Sequence, residues 1–235
     1  MRYAVLSFDL DGTLVDTAGE IAEAANLTIE DFGVARRPQS EIAALIGAGT
    51  RELMLKLLSN LLREQPQRAS QLPTAQVLAR FNHHYALTAG SSGLPYPGCE
   101  PTLQRLLASG VRLACVTNKE EHFARRVLEA TGLVGAFELL IGGDTLPCKK
   151  PDRAVIDHVL RALRGQVDAA AHIGDSRTDV ETARNAGIGA WAVPYGYNAG
   201  VPIAASRPDR LFNSLPEIAD HVLAENRLAR ADLGR

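Results

Sequence analysis

The sequence predicts a doubly wound parallel α/β sheet with a helical cap inserted after the first strand. Three observations carry this. Short apolar runs alternate with helical patterns along most of the chain, and the runs lack strict polar alternation. A long stretch near the N-terminus carries helical patterns and no strand.

The strand candidates are residues 4–8, 112–116, 138–141, 170–173 and 190–193, each short and apolar as expected for strands covered on both faces. Between them, Val155, Ile156, Val159, Leu160 and Leu163 recur at helical spacing, with Gly165 expected to stop that helix. Gly110, Gly132 and Gly187 punctuate three other helices in the same way. Residues 17–91 break the alternation, with helical patterns over 19–32, 40–46, 50–62 and 74–88. A crossover between parallel strands needs only about a dozen residues, so this block is an insertion. The expected organisation is a core of residues 1–16 and 92–235, with a cap of residues 17–91. The tail beyond His221 reads as a charged helix.

Composition bounds the function. The 235 residues are 46% hydrophobic and 22% charged, a globular balance. Net charge is −2, so no basic excess is available to hold nucleic acid or an anionic membrane. Affinity for an anionic partner must come from a local site, and a small molecule is the expected partner of a monomer or homodimer. The apolar run before Asp9 is too short for a membrane span or a signal segment. Cys99, Cys115 and Cys148 form no CxxC pair and read as reduced thiols of a cytoplasmic protein.

Four groups carry chemistry. Asp9 and Asp11 stand two apart where the first apolar strand ends, followed by Gly12 and Thr13. Thr117 and Asn118 close the 112–116 strand and offer a hydroxyl and an amide to phosphate oxygens. Lys149 and Lys150 precede Pro151. Asp175 and Asp179 stand four apart after the 170–173 strand, the second in the first turn of a helix. Taken singly, the middle two read equally well as a helix cap and a solvated loop. In a parallel sheet, all four groups meet at the carboxyl edge, where ligands bind. Together they supply oxygen ligands for a magnesium ion, a cation and neutral donors.

In this order the four groups resemble the haloacid dehalogenase superfamily of phosphotransferases, over essentially the whole chain. The resemblance implies Asp9 as nucleophile and Asp11 as general acid and base. It implies Thr117 and Lys150 as holders of the phosphoryl group, with Asn118 beside them. Mg2+ would be held by Asp9, Asp175 and the backbone carbonyl of Asp11, with Asp179 supporting it directly or through water. Dehalogenating members typically lack an acid at the second DxD position, so Asp11 points to phosphoryl chemistry. Further segments resemble bacterial phosphoglycolate phosphatases: Ile46 to Gly49 with Leu53-Met54, Tyr96-Pro97-Gly98, and Tyr195-Gly196-Tyr197-Asn198. N-acetylmuramate 6-phosphate and sugar phosphate phosphatases share parts of this pattern. A phosphomutase would use the same four motifs, and a non-catalytic regulatory member would be expected to have lost one of the acids. After Pro151 the chain has Asp152-Arg153 where many relatives have a second proline.

For residues 47–51 two readings stand. Backbone N–H groups around Gly49 and the Arg51 side chain could meet a substrate carboxylate at a helix start. Alternatively, Gly47 ends one helix and Thr50 caps the next.

Overall fold

The computed structural model describes residues 1–69 and 72–233. The chain begins with β1 (Val5–Phe8) and β2 (Val15–Asp16), then enters α1 (Ala18–Asp31), α2 (Gln39–Ala43), α3 (Thr50–Glu64), α4 (Pro66–Ala69) and α5 (Thr74–Thr88). It returns through β3 (Leu94–Pro95) to α6 (Cys99–Ala108), β4 (Arg112–Val116), α7 (Glu121–Ala130) and β5 (Leu139–Ile141). Then follow α8 (Ala154–Ala162), β6 (Ala170–Gly174), α9 (Arg177–Ala186), β7 (Gly189–Ala192), β8 (Arg210–Leu211) and α10 (Leu215–Leu233).

Among the described residues, the main sheet runs β5-β4-β1-β6-β7-β8, and every pairing in it is parallel. The chain leaves β1 towards one edge, through β4 and β5, then crosses to β6 and proceeds to the other edge. β1 and β6 therefore flank the point where the winding reverses, which is where open sheets leave a crevice beyond their carboxyl ends. Central strands are buried on both faces, and their side chains alternate between two cores. Leu6, Phe8, Leu113 and Cys115 join α6, α7 and α10 on one face. Val5, Ala114 and Val116 join α8 and α9 on the other. Trp191 is buried in the first of these.

A third cluster belongs to the helical insert. Ile21, Ala25, Leu53, Met54, Leu57, Val77, Phe81 and Tyr85 pack together, and Phe123 of α7 reaches into the same cluster from the sheet side. The insert therefore has its own apolar centre and leans on the α/β layer through that ring. The two segments that join it to the sheet are also paired with each other. Val15 and Asp16 form an antiparallel ladder with Leu94 and Pro95, and the Gly90 N–H donates to Glu20 Oε2 at 2.9 Å.

Details differ from expectation where local geometry intervenes. Strands β2, β3 and β8 are two residues each, too short to leave a periodic pattern. Beyond α8 the left-handed residue is Arg164 (φ 47) rather than Gly165. Gly165 instead lies against the sheet, where an added Cβ would fall 2.7 Å from Val5 Cγ2.

Candidate active site

Asp9 follows β1 directly, and its N–H extends the ladder by donating to Ile173 O at 2.9 Å. The next residues turn back sharply: Gly12 N–H donates to Val15 O at 2.9 Å, with Gly12 at φ 83. A side chain there would place Cβ 2.4 Å from Asp175 Oδ2, so glycine serves both the left-handed turn and the approach of the carboxylate. Thr13 of the same turn donates its hydroxyl to Asp175 Oδ1 at 3.0 Å.

Three carboxylates, Asp9, Asp175 and Asp179, bring oxygen atoms within 4.8 Å of one another, all buried. Lys150 serves two of them, at 2.8 Å from Asp9 Oδ1 and 2.6 Å from Asp179 Oδ1. Its neighbour Lys149 donates to Ala48 O of the insert at 2.9 Å. Burial alone would depress the Lys150 ammonium, but Asp179 and Asp9 outweigh it and raise it above the ordinary lysine value. Asp179 is satisfied on both oxygens. Oδ1 takes Lys150 and the His172 ring nitrogen at 3.1 Å, and Oδ2 takes the Ser176 N–H and hydroxyl. Against the penalty of burial, Lys150 and then His172 hold its carboxyl well below the usual range. His172 sits beneath the site, and Ser7 Oγ contacts its other nitrogen at 2.8 Å.

Asp9 and Asp175 are shifted the other way. Burial, opposed by Lys150 and supported by Asp179, pushes Asp9 up to about 6. Burial together with Asp9 and Asp179 raises Asp175 well above its ordinary value, although the Tyr197 N–H and the Thr13 hydroxyl stabilise its anion. One lysine among three close carboxylates leaves an excess of negative charge in a dry site.

Asp11 stands apart from this cluster. Its Oδ1 is 2.6 Å from Lys119 Nζ and accepts from Thr17 Oγ1 at 2.7 Å. Thr117 follows β4 directly with its N–H on Ile141 O, and its hydroxyl oxygen accepts from Lys119 N at 3.2 Å. The Asn118 amide is already committed, donating to Gly47 O at 3.3 Å and Lys150 O at 3.1 Å. Asn118 therefore ties the insert loop and the lysine loop together, and its side-chain N–H groups do not face the Asp9 cluster as free donors.

The insert closes over this edge. A small cavity is lined by Asp9, Asp11, Ile21, Gly49, Thr117 and Lys119, among others. Gly49 is the residue before α3, at φ 95, and a Cβ there would lie 2.7 Å from Asn118 O. Thr50 is the first helical residue and does not cap α3; its hydroxyl donates to Glu120 Oε1 at 2.6 Å. Helix α2 ends at Ala43, well before Gly47, so the reading of Gly47 and Thr50 as stop and cap does not hold. Arg51 is not brought to the cavity. It is exposed and paired with Glu52 at 3.3 Å. Its position beside the buried Thr50 and Leu53 stripe turns it outward.

Sequence reasoning assigned no role to Lys119, Tyr85, Glu20 or Thr17. Lys119 adjoins Thr117 and Asn118 at a strand end, and that adjacency was the available signal. Tyr85 and Glu20 gave none, because their place depends on how the insert docks. His84 contacts Asp31 of α1 at 2.7 Å across the helix pair.

Comparison with known proteins agrees with this geometry. A family model described as haloacid dehalogenase-like hydrolase matches residues 3–187. The chain is 41% identical over 225 residues to the plasmid phosphoglycolate phosphatase of Cupriavidus necator, covering 95% of this chain and 94% of that one. It is 36% identical over 211 residues to the phosphoglycolate phosphatase of Thiobacillus denitrificans, covering 90% and 92%. A crystal structure of a predicted phosphoglycolate phosphatase from Haemophilus somnus superposes with a TM-score of 0.86 at 28% identity, covering 94% and 98%. With its motifs gathered at one sheet edge and these relatives along nearly its whole length, the chain belongs to the haloacid dehalogenase-like hydrolases and is a phosphatase.

Proposed function

We propose that this chain is a magnesium-dependent phosphomonoester hydrolase that carries the phosphoryl group on Asp9 and acts on 2-phosphoglycolate. The observation that carries the reading is Asp9 itself: a buried carboxylate at the winding reversal, 2.8 Å from Lys150 and within 4.8 Å of two further acids.

The donor set fits a hard divalent cation. The three carboxylates, all buried and with oxygens within 4.8 Å of one another, share one lysine, a donor set of hard oxygens with negative charge in excess. Asp9, Asp175 and the Asp11 carbonyl would hold the ion, while Asp179, satisfied on both oxygens, braces Lys150. When bound, the ion neutralises phosphate charge and so lets an anion approach an anion.

The residues then divide the work. Lys150 and the Thr117 hydroxyl orient the phosphate. As Asp9 forms its bond to phosphorus, the bond to the ester oxygen breaks, and that oxygen takes the proton of the Asp11 carboxyl. Asp11 next removes a proton from the water that attacks the acyl-phosphate, releasing phosphate and restoring Asp9. The insert, taken as a cap of residues 17–91 over a core of 1–16 and 92–235, excludes bulk water from the intermediate. Backbone N–H groups at Gly49 and the start of α3 face the substrate carboxylate. The cavity of about 20 Å³ is close to the space of a single water. The ester therefore enters with the cap lifted, and a small leaving group suits its re-closure. The relatives named phosphoglycolate phosphatase support the same choice.

Phosphate release from 2-phosphoglycolate, N-acetylmuramate 6-phosphate and sugar phosphates, with and without magnesium, tests the reading. Phosphoglycolate is expected to rank first and to need the metal; a rank well below the others removes it as substrate. Asp9→Asn should lower turnover by at least about 10³-fold, since the nucleophile is lost. Near-normal turnover of that variant would rule out the aspartyl-phosphate.

A further inference from the structure

Lys119 has no part in the chemistry above, yet it is 2% exposed and fully engaged. Its ammonium lies 2.6 Å from Asp11 Oδ1, donates to the Tyr85 hydroxyl and sits 5.0 Å from the centre of the Tyr85 ring. Tyr85 belongs to α5 of the insert and donates onward to Glu20 Oε1 of α1 at 3.3 Å. Glu20 in turn receives the Gly90 N–H, where the chain leaves α5. The chain of contacts thus runs from Asp11, through a lysine of the loop after β4, to both long helices that border the insert's exit.

A buried ammonium without partners is strongly unfavourable, so Lys119 is held where its acceptors are. One of those contacts, the tyrosine hydroxyl, comes from the insert. With the insert docked, Lys119 is fixed in a dry setting and fixes Asp11 with it. Lifting α5 away would remove the Tyr85 hydroxyl from Lys119 and leave it the Asp11 carboxyl. In the observed arrangement this lysine faces Asp11, whereas Lys150 serves Asp9.

We propose that Lys119 is a positioning residue for Asp11, and that Tyr85 and Glu20 make this positioning conditional on docking of the helical insert. The proposal rests on the reading of Asp11 as acid and base. Lys119 holds the Asp11 carboxyl towards the departing oxygen, so proton delivery is competent only under a closed cap.

The test compares two small phosphates that differ in their need for a proton. The leaving alkoxide of 2-phosphoglycolate needs one, whereas acetyl phosphate releases acetate, which does not. The ratio of kcat/KM for the two is measured for the wild type, Asp11→Asn, Lys119→Met, Lys119→Arg and Tyr85→Phe. Asp11→Asn is expected to lower the phosphoglycolate-to-acetyl-phosphate ratio by about 10²-fold, the scale of general-acid catalysis. Lys119→Met should lower it by about 10-fold or more, and Tyr85→Phe several-fold in the same direction. The double variant Asp11→Asn/Lys119→Met should fall no further than Asp11→Asn alone, since the lysine acts through the aspartate. A merely structural lysine would depress both substrates alike, and an unchanged ratio in Lys119→Met and Tyr85→Phe overturns the proposal. If Lys119→Met does not fold, Lys119→Arg and Tyr85→Phe decide by the same ratio. An unchanged ratio in Asp11→Asn itself would instead bring down the acid assignment, and the positioning role with it.

Discussion

Replacing Asp175 with asparagine separates the stability effect of the acidic cluster from its chemistry. The substitution is nearly isosteric. The Tyr197 N–H still meets a carbonyl oxygen, and the Thr13 hydroxyl can rotate from donating to accepting. What changes is one negative charge whose neighbours, Asp9 and Asp179, lie within 4.8 Å. At that separation each like-charge pair is unfavourable by about 3.5 kcal/mol at an effective dielectric near 20. Lys150 stands beside both neighbours and offsets roughly one of the two terms, leaving about 3 kcal/mol. For a chain of this size, that corresponds to a rise in Tm of about 6–12 °C.

The pH dependence follows from the sign of the shift. The Asp175 carboxyl is raised on folding, so the folded protein binds its proton at a pH where the unfolded chain has released it. Wild-type stability from this group is complete below about pH 4 and is lost as pH rises through the raised value. The advantage of Asp175→Asn should therefore be near zero at pH 4 and grow towards neutrality. Melts in a chelator and in magnesium check this. The variant should melt higher than wild type without metal, gain little from magnesium and lose turnover. A variant that melts lower in chelator at pH 7, or keeps the full magnesium-induced rise, refutes both the strained carboxylate and its place at the cation.

Two other substitutions probe the docking of the insert. Gly49→Ala puts a Cβ 2.7 Å from Asn118 O at a residue with φ 95; steady-state kinetics should show kcat/KM falling about 10-fold or more, mainly through KM, because the cavity wall is displaced. Phe123→Ala empties a ring that is 1% exposed and shared between α7 and the insert, and urea denaturation should show a loss of about 3–5 kcal/mol. A loss below about 1 kcal/mol would mean that this ring does not join the two parts.

The sheet and the acidic site were legible in the sequence for the same reason. A strand covered on both faces is written as an apolar run, and a carboxylate that ends such a run is conspicuous. Parallel pairing then places every such end at one edge, so Asp9, Thr117, Lys150 and Asp175 converge without any knowledge of strand order. The insert offers no such rule. Its helices α3 and α5 were legible, α5 over its whole observed span of Thr74–Thr88, because each carries an apolar stripe. Which stripe residue meets which core residue is decided by docking, and Tyr85 reaches Lys119 across 34 residues of chain.

Arg51 shows where more could have been read. A basic residue beside a glycine loop suggested an anion contact, yet the helical period alone sets the inward face of α3. Thr50, Leu53, Met54 and Leu57 are buried on it, and position 51 lies about 100° around the axis from position 50. The charge pointed to a ligand while the periodicity pointed to solvent, and the periodicity decided the side chain's direction. The same weighing applies to Lys119. Its charge would favour solvent, but it immediately follows two residues at the buried end of β4, and burial of an ammonium there demands acceptors. Asp11 Oδ1, at 2.6 Å, is one of them. The position of the general acid is thus set by the requirement to satisfy a buried cation, and the geometry of the acid and the closure of the insert become a single structural problem.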